Sequence, residues 1–506
     1  MNKYKIIMDR QAWTASLRRS PYVNGILTAL LLMMFGLWNG GEILYPDTIE
    51  YLKRPANLFA KTMPAIFDND FSRDFDPTIG KYATEIPSEP VKDQVHRPER
   101  ILAGRSPYWG TYAYLVYSMS GFFGIMAASA LMLGISISFA WSRGFGLNFG
   151  VAYYTLAIIL STCTSAGVFV AFITPDILAP IMILSFGLLL SCWRKLTLLD
   201  RIIFCGMASL ATVSHDSHLA VAMVIIALYV AAHVFARKRV GDLRLTTSAL
   251  PPVIGISAAM LLSHVAIVQT GRPLARFPFI MAHLSDLPAG NAFLAEACPD
   301  ADYEICNHLP QLSRGTWIEF LFAPRSEGGV FMASSEPVRD LIVKEQGRVL
   351  LDALQARPLE IGGGLVQDAV RQFFVFDLSE LTPSDRMVDI QGSFRDDIID
   401  HFRRTRIVQH PDWFRTYDRI QSVVAFGAIG LFTIIVWKYR RQLVERDRAL
   451  GEFILIIVVG VSANAVICGL ATPSLGRFQA RVVFLLVFVA FGLFIKTRDR
   501  AWRTLS

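Results

Sequence analysis

Ten apolar runs decide what this chain can fold into. They centre on residues 24–40, 112–140, 147–173, 177–193, 202–214, 219–236, 249–269, 421–437, 453–471 and 479–495. About 20 consecutive apolar residues cross a bilayer as a helix, the form that satisfies every backbone N–H and C=O within its own segment. The expected fold class is therefore an all-α polytopic membrane protein of about ten transmembrane helices. The run at 202–214 is short, and with its successor it is expected to form a tight helical hairpin. Composition agrees: 53% of the 506 residues are hydrophobic and 18% charged, against about a quarter charged in a soluble domain. That excludes a soluble enzyme, a disordered chain, a coiled coil and a disulfide-stapled mini-protein.

The net charge of +7 would suit a nucleic-acid partner, but its distribution excludes one. Segments 1–23, 141–146, 194–201, 237–248, 438–452 and 496–506 hold 22 Lys and Arg residues, whereas the short loops at 174–176, 215–218 and 472–481 hold only Arg477 and Arg481. Cytoplasmic loops carry such an excess, so both termini are expected in the cytoplasm. The organisation that follows is a cytoplasmic N-terminus (1–23), a first transmembrane helix (24–40) and an outer loop of amphipathic helices lying along the membrane (41–111). Transmembrane helices two to seven (112–270), a mainly helical periplasmic insertion (271–418), transmembrane helices eight to ten (419–495) and a cytoplasmic tail (496–506) complete it. The first run follows Lys3, Lys5, Arg10, Arg18 and Arg19 without a small-x-small cleavage site, and reads as a retained signal anchor. The expected location is a bacterial inner membrane.

Of six cysteines, Cys163, Cys192, Cys205 and Cys468 lie in apolar runs and read as packing residues. Cys298 and Cys306 share the insertion, where an oxidising compartment favours a disulfide over free thiols or a metal site. Also in the insertion, 337–356 and 362–377 show helical spacing. Gly362-Gly363-Gly364 reads as a flexible turn before the second helix, since it fits no phosphate-loop pattern.

Ionisable groups in hydrocarbon are costly and tend to mark function, and here they gather at span ends on the outer face. GGEILYPDTIEYL carries Glu42, Asp47, Glu50 and Tyr51; Thr174-Pro175-Asp176 joins the third and fourth runs. Ser214-His215-Asp216-Ser217-His218 joins the fifth and sixth, and the last connection carries Arg477 and Arg481. Each piece has a plain structural reading beside the functional one. Asp47 and Asp176 each follow a proline and would cap a helix. The His215–His218 cluster would be a solvated turn, a substrate contact or, least well supported by its spacing, a metal site. Arg477 and Arg481 would snorkel at the interface. Four connections converging on one side raise the functional reading.

The first span with its basic start, followed outside by PDTIEYL with its D-x-x-x-Y pattern, resembles the GT-C superfamily of integral-membrane glycosyltransferases. GRSPYWGTYAYL (104–115) resembles the segment that leads into their second span. The resemblance covers 24–270 and 421–495 in outline, while 271–418 matches no domain of that family. It implies transfer of a sugar from a polyprenyl-phosphate donor to a glycan, lipid or protein acceptor at the outer face, with inversion. It implies Asp47 as catalytic base, with Asp176 as second catalytic acid residue. Arg477, with Arg481 or Arg105, would grip the lipid phosphate through bidentate contacts. Glu50, Tyr51, His215, Asp216 and His218 would contact substrate. It makes no cofactor certain, and a divalent cation is left open.

Two other classes compete. A polysaccharide polymerase or ligase would use the insertion's Arg272, Arg276, His283, His308 and Arg314 and leave Asp47 without a role. A transporter would show repeat symmetry or broken polar helices at mid-membrane, and the sequence shows neither, while an assembly scaffold would leave the outer polar cluster unexplained.

Overall fold

A computed structural model describes residues 20–63, 66, 105–235, 243–272, 274–312, 315–382, 396–445 and 447–499. The basic N-terminal start, most of the first outer loop, Arg314 and the tail beyond 499 lie outside these residues. Among the described residues all regular structure is helical, apart from isolated β-bridge positions such as the parallel Ile43–Phe172 pair. The helices of the apolar runs are α1 (Pro21–Leu32), α2 (Met34–Asn39), α4 (Pro107–Phe139), α5 (Val151–Cys163), α6 (Ser165–Ala171), α7 (Leu178–Ser191), α8 (Leu198–Ser214), α9 (Asp216–Phe235) and α10 (Leu243–Thr270), then α19 (Pro411–Glu445), α20 (Arg448–Ala471) and α21 (Gly476–Arg498). Between the first two runs lies α3 (Pro46–Thr62). The insertion contributes α11 (Phe279–Asp286), α12 (Pro288–Ala297), α13 (Leu309–Leu312), α14 (Trp317–Phe322), α15 (Glu336–Ala356), α16 (Pro358–Gln372), α17 (Asp396–Arg403) and α18 (Arg406–Gln409).

Seven of these are long and apolar enough to cross a membrane: α1 with α2, α4, α9, α10, α19, α20 and α21. The α5–α6 pair, bent by 67°, makes an eighth when counted as one span. Among the described residues the fold is thus helical, with the apolar helices of a multi-pass membrane protein. Seven or eight helices have the length to cross where the apolar runs gave ten, because α7 and α8 are shorter, with 14 and 17 residues. Helix α7 is walled in by protein, every residue from Leu178 to Leu190 being buried. Helix α8 starts before its apolar run, at a reciprocal cap. The Thr197 hydroxyl accepts from the Asp200 N–H at 3.2 Å, and the Asp200 carboxylate accepts from the Thr197 N–H at 2.8 Å. Only His215 separates α8 from α9.

The bend between α5 and α6 sits at Thr164, whose backbone is extended. The groups freed by the break find partners: Thr164 Oγ1 donates to Leu160 O at 2.6 Å and accepts from Ala166 N–H, while the Tyr417 hydroxyl donates to Thr164 O at 2.5 Å. Non-helical backbone at membrane depth is tolerated where such partners exist. The bend sends the chain to the segment that follows α2. Helix α2 ends at Gly40 in the left-handed region (φ 85°), which glycine enters without a Cβ penalty. Ile43 N–H then donates to Ala171 O (2.8 Å) and Ile173 N–H to Ile43 O (3.1 Å). This bridge sets Tyr45–Thr48 beside Thr174–Asp176.

Helix α3 is amphipathic, as expected for the start of the first outer loop: Ile49, Leu52 and Ala56 are buried, and Glu50, Arg54 and Asn57 are exposed. In the insertion α15 matches the helical spacing at 337–356. The glycine run corrects the reading of a flexible turn. Helix α16 starts at Pro358 and passes through Gly362–Gly364. Proline at the first helical position presets the turn, and burial of Ile361, Ala369 and Gln372 outweighs the poor propensity of three glycines.

Nor does the insertion have one core. Residues from Met281 to Ile361 form a separate hydrophobic cluster, whereas Phe376, Leu378, Ile399, Phe402 and Ile407 pack into the main core of the spans. Cys298 and Cys306 form the expected disulfide, with Cα atoms 5.2 Å apart. Closing a loop this short contributes about 2–3 kcal/mol in the chain-entropy account. Cys298→Ser is therefore expected to raise the protease sensitivity of the Met281–Ile361 unit without dislodging the spans. Unchanged cleavage would show that the bond adds nothing.

Candidate functional site

Three tethers bring span ends together. The bridge just described is the first. In the second, the Ser106 hydroxyl, at the start of α4 and next to Arg105, donates to Val213 O at 2.7 Å at the end of α8. The third is Arg481, one helical turn after Arg477 on α21. Its side chain is fully buried. Nη1 donates to Asp176 Oδ1 at 2.8 Å, Nη2 to Asn464 Oδ1 at 2.8 Å and to Ser217 Oγ at 3.0 Å, and Nε to Asn464 Oδ1 at 3.2 Å. The second oxygen of Asp176 accepts from the Thr174 hydroxyl at 2.9 Å. One guanidinium thus joins three connections between spans. A buried ion pair of this kind holds only when its remaining hydrogen-bonding capacity is also met, as here.

The histidines extend this network. Ser217 Oγ, which accepts from Arg481, lies 2.8 Å from His215 Nδ1, and the Ser217 N–H donates to the same nitrogen at 3.1 Å. Nδ1 is therefore an acceptor, and the ring proton sits on Nε2. Burial and the nearby Arg481 charge lower the His215 pKa, so the ring is neutral at physiological pH. His218, with its ring centre 5.1 Å from that of His215, has Nδ1 at 3.2 Å from Ala211 O. That leaves the buried His218 Nε2 as an acceptor without a hydrogen-bond partner.

Asp47, in the first turn of α3 behind Pro46, is ion-paired with Arg105. The Arg105 guanidinium lies 5.9 Å from the Tyr51 ring centre. Arg477 lies over the Tyr45 ring at 4.8 Å, with Nε 3.7 Å from Glu380 Oε2. Burial pushes the Glu380 carboxyl above its usual range, against the lowering pull of Arg477. The Nε and Nη1 of Arg477 and the Oε1 of Glu380 are buried without hydrogen-bond partners.

The structure thus gathers Asp47, Tyr51, Arg105, Asp176, His215, His218, Arg477 and Arg481 at one end of the helices. Two expected substrate contacts lie apart from the buried cluster. Glu50 is on the exposed face of α3, and Asp216 is the exposed first residue of α9, where a carboxylate complements the helix dipole. Asp176 and Arg481 also differ from expectation, because each is committed to the other. Arg477 keeps two buried side-chain nitrogens, Nε and Nη1, without hydrogen-bond partners, one on each of two guanidinium edges that an anion could meet.

Sequence reading missed Glu380, Asn464 and Tyr45. Asn464 had a usable signal, an amide in the apolar run of α20; Glu380 had none. Among the described residues, no group of three or more His, Cys, Asp or Glu is placed to hold a metal ion. The insertion's basic residues are tied locally: Arg272 to Glu336 at 2.9 Å, His283 to Asp368 at 3.0 Å and to Leu470 O, and His308 near Glu304 at 3.7 Å, while Arg276 is exposed. Comparison with protein-family models, with curated proteins and with solved structures finds no match to the chain.

Proposed function

We propose that the chain is a membrane glycosyltransferase that moves a sugar from a polyprenyl-phosphate donor to a glycan, lipid or protein acceptor at the outer face of a bacterial inner membrane, with about ten spans and both termini cytoplasmic. The observation that carries this reading is the half-buried to buried two-signed cluster at the span ends. It places a carboxylate in α3 and an incompletely bonded guanidinium in α21 around one end of the helices. A lipid-linked donor reaches such a site from the bilayer and needs no nucleotide pocket.

In the proposed reaction the Asp47 carboxylate takes the proton of the acceptor hydroxyl as its oxygen attacks the anomeric carbon. Arg105, paired with Asp47, orients it. The bond from that carbon to the phosphate oxygen breaks, and its electron pair leaves with polyprenyl phosphate. Arg477 stabilises the charge that grows on the departing phosphate. Direct displacement inverts the anomeric centre. Arg481 and Asp176 act as the frame that holds the outer connections in register, and His215 and His218 are hydrogen-bonding groups for sugar hydroxyls.

The test follows the donor. Membranes containing the wild-type chain are expected to consume a polyprenyl-phosphate sugar and release polyprenyl phosphate, both measured by liquid chromatography and mass spectrometry. Arg477→Gln is expected to slow this at least ten-fold, because a charge-assisted contact to phosphate contributes about 1.5–3 kcal/mol, with partial recovery in Arg477→Lys. Equal turnover in Arg477→Gln would remove the phosphate role.

A further inference from the structure

Arg477 and Glu380 are an opposite-charge pair that stops short of bonding. At 3.7 Å they attract, yet bonded guanidinium–carboxylate pairs close to about 2.7–2.9 Å. Each is anchored from behind. On the arginine side, the fully buried Gln372 of α16 clamps Leu475, two residues before Arg477: its Nε2 donates to Leu475 O at 2.7 Å, and Leu475 N–H donates to its Oε1 at 2.9 Å. Gly476 then packs so closely that a Cβ would lie 2.2 Å from Asp377 O. On the glutamate side, Asp418 of α19 accepts from Leu378 N–H at 3.0 Å, and Gln421 donates to Phe376 O at 2.8 Å. Asp377 accepts from Ser379 N–H at 3.2 Å.

Three buried polar atoms are left over: two guanidinium nitrogens and one carboxylate oxygen. Leaving a buried polar atom unsatisfied is costly, and here both signs are left side by side. A bare phosphate would satisfy Arg477 but set its charge against Glu380. A sugar phosphate offers acceptor oxygens and, a few bonds away, hydroxyl donors.

We propose that Arg477 and Glu380 form one subsite for a glycosyl phosphate, in which Arg477 takes the phosphate and Glu380, delivered by the outer insertion, accepts a hydrogen bond from a sugar hydroxyl beside it. This rests on the donor class proposed above. Glu380 is then a specificity residue that favours the loaded donor over the polyprenyl phosphate product, and Gln372 is a positioning residue that acts through Leu475 on Arg477.

The full chain in lipid nanodiscs, titrated with farnesyl phosphate and with farnesyl phosphoryl glucose, tests this. Wild type is expected to bind the glycosylated probe several-fold more tightly. Glu380→Gln should move the two probes in opposite directions, tightening farnesyl phosphate and weakening farnesyl phosphoryl glucose, each several-fold. Glu380→Asp, which keeps the charge, should weaken the glycosylated probe without tightening the bare phosphate. Gln372→Ala should weaken both in parallel. Parallel or absent shifts in Glu380→Gln and Glu380→Asp would overturn the glutamate's role and leave the phosphate reading standing. Failure of wild type to bind either probe would overturn the phosphate reading and this inference together.

Discussion

Arg481→Met is expected to destabilise the protein by about 3–5 kcal/mol, the usual cost of breaking a buried pair by removing one partner. Methionine fills much of the volume, so the loss comes from what is stranded. Asp176 would keep a charge in a site with only the Thr174 hydroxyl as side-chain partner, and Asn464 Oδ1 and Ser217 Oγ would each lose a donor. The sign of a second substitution separates this account from simple packing. Asp176→Asn added to Arg481→Met removes the stranded charge and should recover part of the loss, whereas Asp176→Asn alone should destabilise. Thermal unfolding of the four proteins in one detergent measures the cycle. A double variant no more stable than Arg481→Met would contradict it.

Asp47→Asn should lower transfer by about 10²–10⁴-fold, the usual contribution of a positioned general base, and should leave the helices assembled. The amide is nearly isosteric with the carboxylate and can still accept from Arg105, but it cannot take a proton from an acceptor hydroxyl. Loss of the ion pair should matter little to stability, because both side chains are partly exposed (Arg105 25%, Asp47 20%) and such pairs contribute about 0–1 kcal/mol. Turnover per molecule in membranes and the thermal unfolding temperature, measured on the same preparation, check both halves. A parallel fall in the two would make Asp47 a structural residue.

The site was legible in part, and the parts share a physical reason. Asp47, Asp176, His215 and Arg477 stand at the ends of long apolar runs, where any ionisable group is conspicuous, and hydropathy placed all four connections on one side. What hydropathy cannot give is pairing. Arg481 looked like one of several phosphate ligands until its partners Asp176, Asn464 and Ser217 showed it to be fully engaged. Glu50 sits one turn from Asp47 in sequence, yet shares the outward face of α3 with Arg54. Glu380 lies in a long polar insertion where one glutamate is like the next; only the packing of 376–382 against α19 and α21 brings it to Arg477. The glycine run shows the same limit, because three glycines read as a turn until the packed face of α16 is seen.

The central claim, sugar transfer from a lipid-linked donor through Asp47, is tested most directly in the cell envelope. Glycolipids and glycans of a strain lacking the gene are compared by mass spectrometry with those of the same strain carrying wild type or Asp47→Asn at matched expression. The account predicts that wild type restores one missing sugar and that Asp47→Asn does not, with the sugar's polyprenyl-phosphate form accumulating instead. Full restoration by Asp47→Asn, or a change in chain length without loss of a sugar, would contradict it.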